Sequence, residues 1–302
     1  MNLITYILVV IKMIWIKNKD IIIRYIKNLF SVFAVCVGIF CALTYSKECS
    51  DGIKKGIIFC TTVLVPALFI FMILAQYISN SAISGIICRI FDKLSQKLLR
   101  LPSICANVLL LSLIGGYPVG ARCISTLYKN HCISKETASK LSMTAVCSGP
   151  GFVITFVGQA LLSNKVSGMI LFVSQCISFF VICLICTVCI KDKGDSTTNI
   201  PNKNYSTFVD SVAEGCVATI NMCAMVIFFC AVISICDSVF YNTPVLLDIL
   251  CALLEVTSAC ERLSTRYPLY VTSFIIGFGG ICVHCQIFSA LKNIKIKKRT
   301  FF

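Results

Sequence analysis

Few side chains in this sequence can do chemistry, and several of those that can lie inside long apolar runs. Glu255 stands in Leu253-Leu254-Glu255-Val256-Thr257-Ser258, after an apolar run. A carboxylate at membrane depth is costly and usually faces a bundle interior, where it serves a proton or substrate path. At a helix end beside Glu261 and Arg262 it would meet water instead, and both readings of Glu255 stand. His284 and Gln286 follow the pair Gly279-Gly280 in a second apolar run. Histidine titrates near neutral pH and can couple protonation to the movement of a solute, although a hydrogen-bonded structural role suits it equally. Arg122 closes Gly115-Gly116-Tyr117-Pro118-Val119-Gly120-Ala121-Arg122. Arginine grips a carboxylate through two donors, and backbone N–H groups at the start of a half-helix also attract anions. At a membrane boundary the same arginine would set topology. Ser148-Gly149-Pro150 offers a hydroxyl and freed backbone groups.

Enzymatic chemistry finds little support. A nucleophilic serine needs a base, and the two histidines, His131 and His284, lie far apart in sequence. The chain contains no G-x-S-x-G, H-E-x-x-H or phosphate-cradling G-x-x-x-x-G-K pattern. The 21 cysteines sit mostly inside apolar segments, as in Cys183-x-x-Cys186-x-x-Cys189. Free cysteine behaves there as a small hydrophobe that lets helices approach closely. No catalytic residue, metal site or cofactor is expected.

Such residues need elements to hold them. Three glycines and a proline fall within six residues at Gly115 to Gly120. Proline lacks a backbone donor and glycine favours non-helical angles, so a continuous helix through this point is disfavoured. In hydrocarbon a broken helix survives only where protein or a water-filled cavity satisfies the freed groups, and transporters build their sites on such breaks. Ser148-Gly149-Pro150-Gly151 makes a second break.

The composition points the same way. Of 302 residues 58% are hydrophobic and 13% charged, and the mean hydropathy is +0.91. The expected fold class is all-α: a polytopic integral membrane protein with about seven to nine transmembrane or re-entrant helical segments and discontinuous helices. The net charge of +14 sits mainly between apolar segments and at the ends, as topology determinants and contacts with anionic lipids do. Nucleic acid is not an expected partner; membrane lipids are.

Residues 1–28 read as an N-terminal extension, interfacial or marginally helical. Residues 29–190 form a first membrane half, with spans expected at Leu29 to Tyr45 and Gly56 to Ile78 and a mixed-charge loop from Ser46 to Lys55. Pro66 should kink the second span. Ser79 to Leu101 reads as an amphipathic helix lying along the cytoplasmic surface, ended by Pro102. Ser134 is the expected N-cap of a following helix. Residues 191–206 are a polar linker, 207–291 a second membrane half, and 292–302 a basic cytoplasmic tail. The basic loop Arg122 to Lys140 also favours the cytoplasm, which strict alternation of full spans denies it. The conflict disappears if the Gly-Gly-Tyr-Pro segment enters and leaves on one side. An internal echo accompanies this: aligning Gly115 with Gly279 matches Gly115/Gly279, Gly116/Gly280, Val119/Val283, Ser125/Ser289 and Leu127/Leu291. A two-fold repeat of either sense is left open by it.

The run GGYPVGAR, the segment containing Tyr128, ISKE at Ile133 to Glu136 and SGP at Ser148 to Pro150 together resemble the sporulation integral membrane proteins of the YlbJ type. That family is described as carrying a nucleoside-recognition, or gate, domain. LLEVT at Leu253 to Thr257 and Gly279-Gly280 with Val283-His284 and Gln286 resemble its later motifs, so the resemblance covers roughly Leu29 to Leu291. Two departures replace amides of the family pattern: Val146-Cys147 precede SGP, and Ser258-Ala259 follow EVT. The resemblance implies a multi-pass protein of the mother-cell-derived outer forespore membrane, needed for the spore cortex. It implies transport of a small anionic metabolite, dipicolinate before a nucleoside-like solute, and leaves room for homo-oligomers or sporulation membrane partners. A non-transporting scaffold for spore-envelope assembly is the alternative. The expected substrate-binding residues are Gly115, Gly116, Tyr117, Pro118, Gly120, Arg122, Ser148, Gly149, Pro150, Thr257, Ser258, Gly279, Gly280 and Gln286, with Glu255 and His284 as coupling or gating groups.

Overall fold

The computed structural model describes residues 25–26, 28–81, 83–98, 103–144, 147–189, 207–292 and 294. Among these residues the chain is helical, with no strand. Four helices are long and apolar enough to cross a membrane: Ser46–Asn80, Lys165–Ile185, Phe208–Val239 and Leu269–Ala290. Residues 1–28 for the most part, Pro102, the linker 191–206 and nearly all of the basic tail lie outside the described residues. Residues 1–50 form one compact unit and 51–302 another. The first contains α1 (Asn28–Thr44), a short apolar helix.

Helix α2 (Ser46–Asn80) begins where a mixed-charge loop was expected. Its polar start is helical because Lys54 pairs with Asp51 at 3.3 Å and Gly52 and Gly56 lie flat against α9 (Phe208–Val239). A Cβ at Gly56 would come within 2.9 Å of the Ile227 Cα, so only glycine permits this approach. The kink expected at Pro66 takes the form of one π-helical turn, Cys60–Leu64. Proline cannot donate to the carbonyl of Thr62, and the ladder widens, with the Val65 N–H reaching Cys60 O, before the helix resumes.

After the amphipathic α3 (Ile83–Leu98) come α4 (Cys105–Gly115), α5 (Tyr117–Lys129), α6 (Lys135–Thr144) and α7 (Gly151–Leu161), the last wound as a π-helix. Ser134 Oγ accepts from the Thr137 N–H at 3.1 Å and starts α6, as its residue type suggests. Then follow α8 (Lys165–Cys189), α9, α10 (Pro244–Leu254), α11 (Val256–Leu263), α12 (Leu269–Phe278) and α13 (Gly280–Ala290). Helix α9 begins eight residues before the apolar run that announces it at Cys216, because Thr207 and Asp210 build a reciprocal capping box ahead of it.

Two helix pairs fold back on themselves, α4 on α5 and α10 on α11, each packed side by side. The buried core is continuous around them: Val108, Leu111 and Ile124 of the first pair and Cys251, Ala259 and Cys260 of the second are all buried. Several cysteines thus pack as small apolar groups, Cys105, Cys260 and Cys282 with no exposed surface.

Candidate functional site

Four interruptions of the helical backbone meet at the centre of the second unit. Between α4 and α5, Gly116 has φ +81°, ψ −169°, a region essentially reserved to glycine. It lies across the second interruption: a Cβ on Gly116 would sit 3.0 Å from Gly149 N, and one on Gly149 would sit 3.0 Å from Ile114 O. The third interruption is Glu255, extended between α10 and α11. The fourth is Gly279-Gly280, both at positive φ, between α12 and α13. A Cβ at Gly280 would sit 3.0 Å from Leu254 O and 3.1 Å from Glu255 N. The breaks therefore cross in two pairs, the first with the second and the third with the fourth.

Tyr117 ties the two crossings together. Its hydroxyl donates to Ile276 O, a carbonyl of the last turn of α12, and accepts from Ser148 Oγ. Gln175, an amide in the apolar α8, donates to Ser148 O at 2.7 Å and holds the second break from behind.

Glu255 is 1% exposed. Its carboxylate caps α11: one oxygen accepts from Thr257 N at 2.9 Å and Thr257 Oγ1 at 2.6 Å, the other from Ser258 N at 2.6 Å. A charge at this depth is tolerable because three donors and the positive end of a helix face it. The water-contact reading of Glu255 does not hold.

A cavity with ≈ 40 Å³ of room for water centres lies at the crossings. Gly115, Gly116, Tyr117, Pro118, Ser148, Gly149, Glu255, Thr257 and Gln286 line it, with apolar walls from Leu64, Met72, Phe152, Met222 and Val226. It is the size of a water or two. Nine of the residues expected at a binding site are thus neighbours, although they come from stretches more than 100 residues apart.

Two larger recesses flank the cavity. A basic vestibule of ≈ 830 Å³ is bordered by Arg122, Lys129, Lys292 and Glu214, together with Gln76, Asn221, Ser125 and Ser289. Pro118, Met222 and Gln286 border both it and the central cavity. A second vestibule of ≈ 470 Å³ has Ser258 at its inner end and balanced charges at its rim: Asp51, Asp237 and Glu261 against Lys55, Arg262 and Arg266. There Arg262 Nε donates to Asp248 at 2.6 Å and Nη1 to Asp237 at 2.9 Å, and Lys55 pairs with Glu261 at 3.1 Å. Helix α9 runs past all three spaces, from Glu214 through Met222 and Val226 to Asp237.

The remaining expected residues are spread around this centre. Arg122 is in the basic vestibule and Ser258 in the opposite one. Gly280 forms the second crossing, and Gly279 lies against the Tyr117 ring, where a Cβ would be 3.6 Å from it. Pro150 begins α7, and Gly120 is buried in the body of α5. His284 borders none of the three spaces; its Nδ1 is 2.7 Å from Gly280 O and its ring packs on Phe278. Gln175, Asn221, Glu214 and the Arg262 cluster were not picked out from the sequence. Polar groups within apolar runs are the signal that marks Gln175 and Asn221.

The folded site defines a class: a chain that is helical among the described residues, with four helices there fit to cross a membrane and backbone breaks gathered on one internal cavity. Comparison with family models, with curated proteins and with solved structures gives no match in any of the three.

Proposed function

We propose that the chain is a secondary transporter or facilitator for a small anionic metabolite, with the central cavity as its site. The convergence of four breaks on one cavity between two vestibules carries this reading. A membrane scaffold needs close helix packing, but it does not need large recesses on both sides of a cavity formed where its helices break.

The same reading gives the chain a direction at each helix. Let the basic vestibule mark side A and the ion-paired vestibule side B. Helix α2 runs from Gly52 at side B to Gln76 at side A. Helix α4 starts near side A, where Asn107 donates to Ser84 O at 3.0 Å just beyond α2. It descends to Gly116, and α5 returns to Lys129 at side A. Helices α10 and α11 make the mirror-image excursion from side B, ending at Arg262 and Thr265. The α6–α7 and α12–α13 pairs cross the whole thickness in opposite senses. This is an inverted repeat: α2, a hairpin from A and a broken span, then α9, a hairpin from B and a broken span. The matched glycines Gly115 and Gly279 lie just ahead of two half-helices, α5 and α13, that run from the centre to the same vestibule, which is why Ser125 and Ser289 both border it.

Side A also carries the start of the basic tail, so it is the cytoplasmic side under this reading. Dipicolinate is the first solute to test, the host membrane being the outer forespore membrane that the YlbJ-type resemblance implies. The experiment is uptake of labelled dipicolinate into vesicles containing the purified protein, alongside its accumulation in spores lacking the protein. Uptake above protein-free vesicles and spores poor in dipicolinate are expected. Normal spores and no uptake would remove the transport reading.

A further inference from the structure

We infer that the basic vestibule is itself a binding station for small multivalent anions, occupied before the central site and built on Arg122, Lys129 and Lys292. This deepens the transport reading and rests on it for the words "before the central site", but not for the binding itself.

The first argument is charge. Three cations and one carboxylate, Glu214, border this recess, whereas cations and carboxylates balance three to three in the opposite one. A cleft lined by one sign of charge concentrates counter-ions, and low-dielectric walls focus its field. The second argument is how the charges are engaged. In the opposite vestibule Arg262 and Lys55 are held by carboxylates at 2.6 to 3.1 Å. In the basic vestibule Glu214 accepts instead from two amides, Gln76 and, at 3.3 Å, Asn80. Both amides meet the same oxygen of Glu214, so this single carboxylate offsets part of the charge of Arg122 and leaves the recess net positive.

The third argument is place and size. A recess of ≈ 830 Å³ is within the range of sites for small metabolites. The central cavity, at ≈ 40 Å³, admits water alone in this conformation. Arg122 lies four residues along α5 from Pro118, which borders both spaces, so an anion held on Arg122 waits one helical turn from the centre. Asn221 and Gln286 add amide groups for orientation, and the planar guanidinium matches a carboxylate or phosphate edge.

The test is equilibrium binding of labelled dipicolinate to the full-length protein in nanodiscs of zwitterionic lipid, so that lipid headgroups do not compete. Citrate and uridine serve as anionic and neutral competitors. The wild type is expected to bind dipicolinate, to release it to citrate and not to uridine, and to bind more weakly as salt rises. Arg122→Gln with Lys129→Gln and Lys292→Gln should weaken binding by about tenfold or more and flatten the salt dependence. Glu214→Gln should tighten it. Unchanged thermal unfolding of the triple variant separates lost binding from lost folding. Binding in the triple variant as tight and as salt-sensitive as in the wild type would overturn the station, as would displacement by uridine or no anion binding at all. Binding as expected without any uptake into vesicles would sink the transport reading and leave the station standing.

Discussion

At the residue scale, two positions show how backbone and charge are managed at depth. Gly116 adopts angles that other residues rarely reach, and its missing Cβ makes room for Gly149 N. Gly116→Ala is expected to destabilise the protein by about 1–3 kcal/mol from strain alone. Gly85→Ala is the control: no atom lies within 4 Å of its would-be Cβ, and alanine in a helix is worth about 0.5–1 kcal/mol more than glycine. Thermal unfolding in detergent should separate the two variants in opposite directions; equal melting temperatures would show that the crossing is not tight. Glu255 is a cap first. Glu255→Ala should lower stability by about 1–2 kcal/mol through α11, and Glu255→Gln by less, because an amide oxygen still accepts. If Glu255 also couples protons, Glu255→Gln will abolish the pH dependence of uptake. A pH profile like the wild type would confine the residue to capping.

At the element scale, α9, α10 and α11 are held at side B by ion pairs, and the hairpin α10–α11 carries the floor of the central cavity. Asp248 is 8% exposed and depends on Arg262 and, at 3.1 Å, on the Tyr267 hydroxyl. Removing Arg262 alone leaves that buried carboxylate with the Tyr267 hydroxyl and the more distant Arg266, 3.9 Å away, whereas removing both charges leaves no carboxylate to satisfy. Arg262→Ala should therefore cost about 1–3 kcal/mol, and adding Asp248→Asn should recover part of the loss. A double-mutant cycle on thermal stability measures this, and strictly additive effects would mean that the pair does not hold the hairpin. At side A the amides of Gln76 and Asn80 engage Glu214.

At the scale of the whole molecule, the proposed inverted repeat has a direct consequence for topology. The loop at His131 and the chain end after Lys292 should lie on one side, and the turns at Tyr241 and Tyr267 on the other. Reporter fusions after each of these positions test it. A reporter at 131 that scores opposite to one at 292 would contradict the re-entrant hairpin and the repeat together.

Much of this was legible in the sequence. The apolar runs announced the helices, because burying or embedding such stretches requires that they satisfy their own backbone. Glycine and proline clusters announced three of the four breaks, since those residue types carry the backbone preference with them. Only tertiary structure decided the rest. The break at Glu255 has no glycine or proline within it, and becomes a break because its carboxylate caps the next helix. Pro66 is accommodated by a π turn, which the residue type alone does not specify. Arg122 and Ser258, each in a helix that starts at a break, border opposite vestibules, since successive turns of α5 and α11 lead away from the central cavity in different directions. Which glycines cross depends on contacts between separate breaks, Gly116 with Gly149 and Gly280 with Glu255, and which polar residues face one cavity depends on contacts between stretches more than 100 residues apart; no local pattern encodes either.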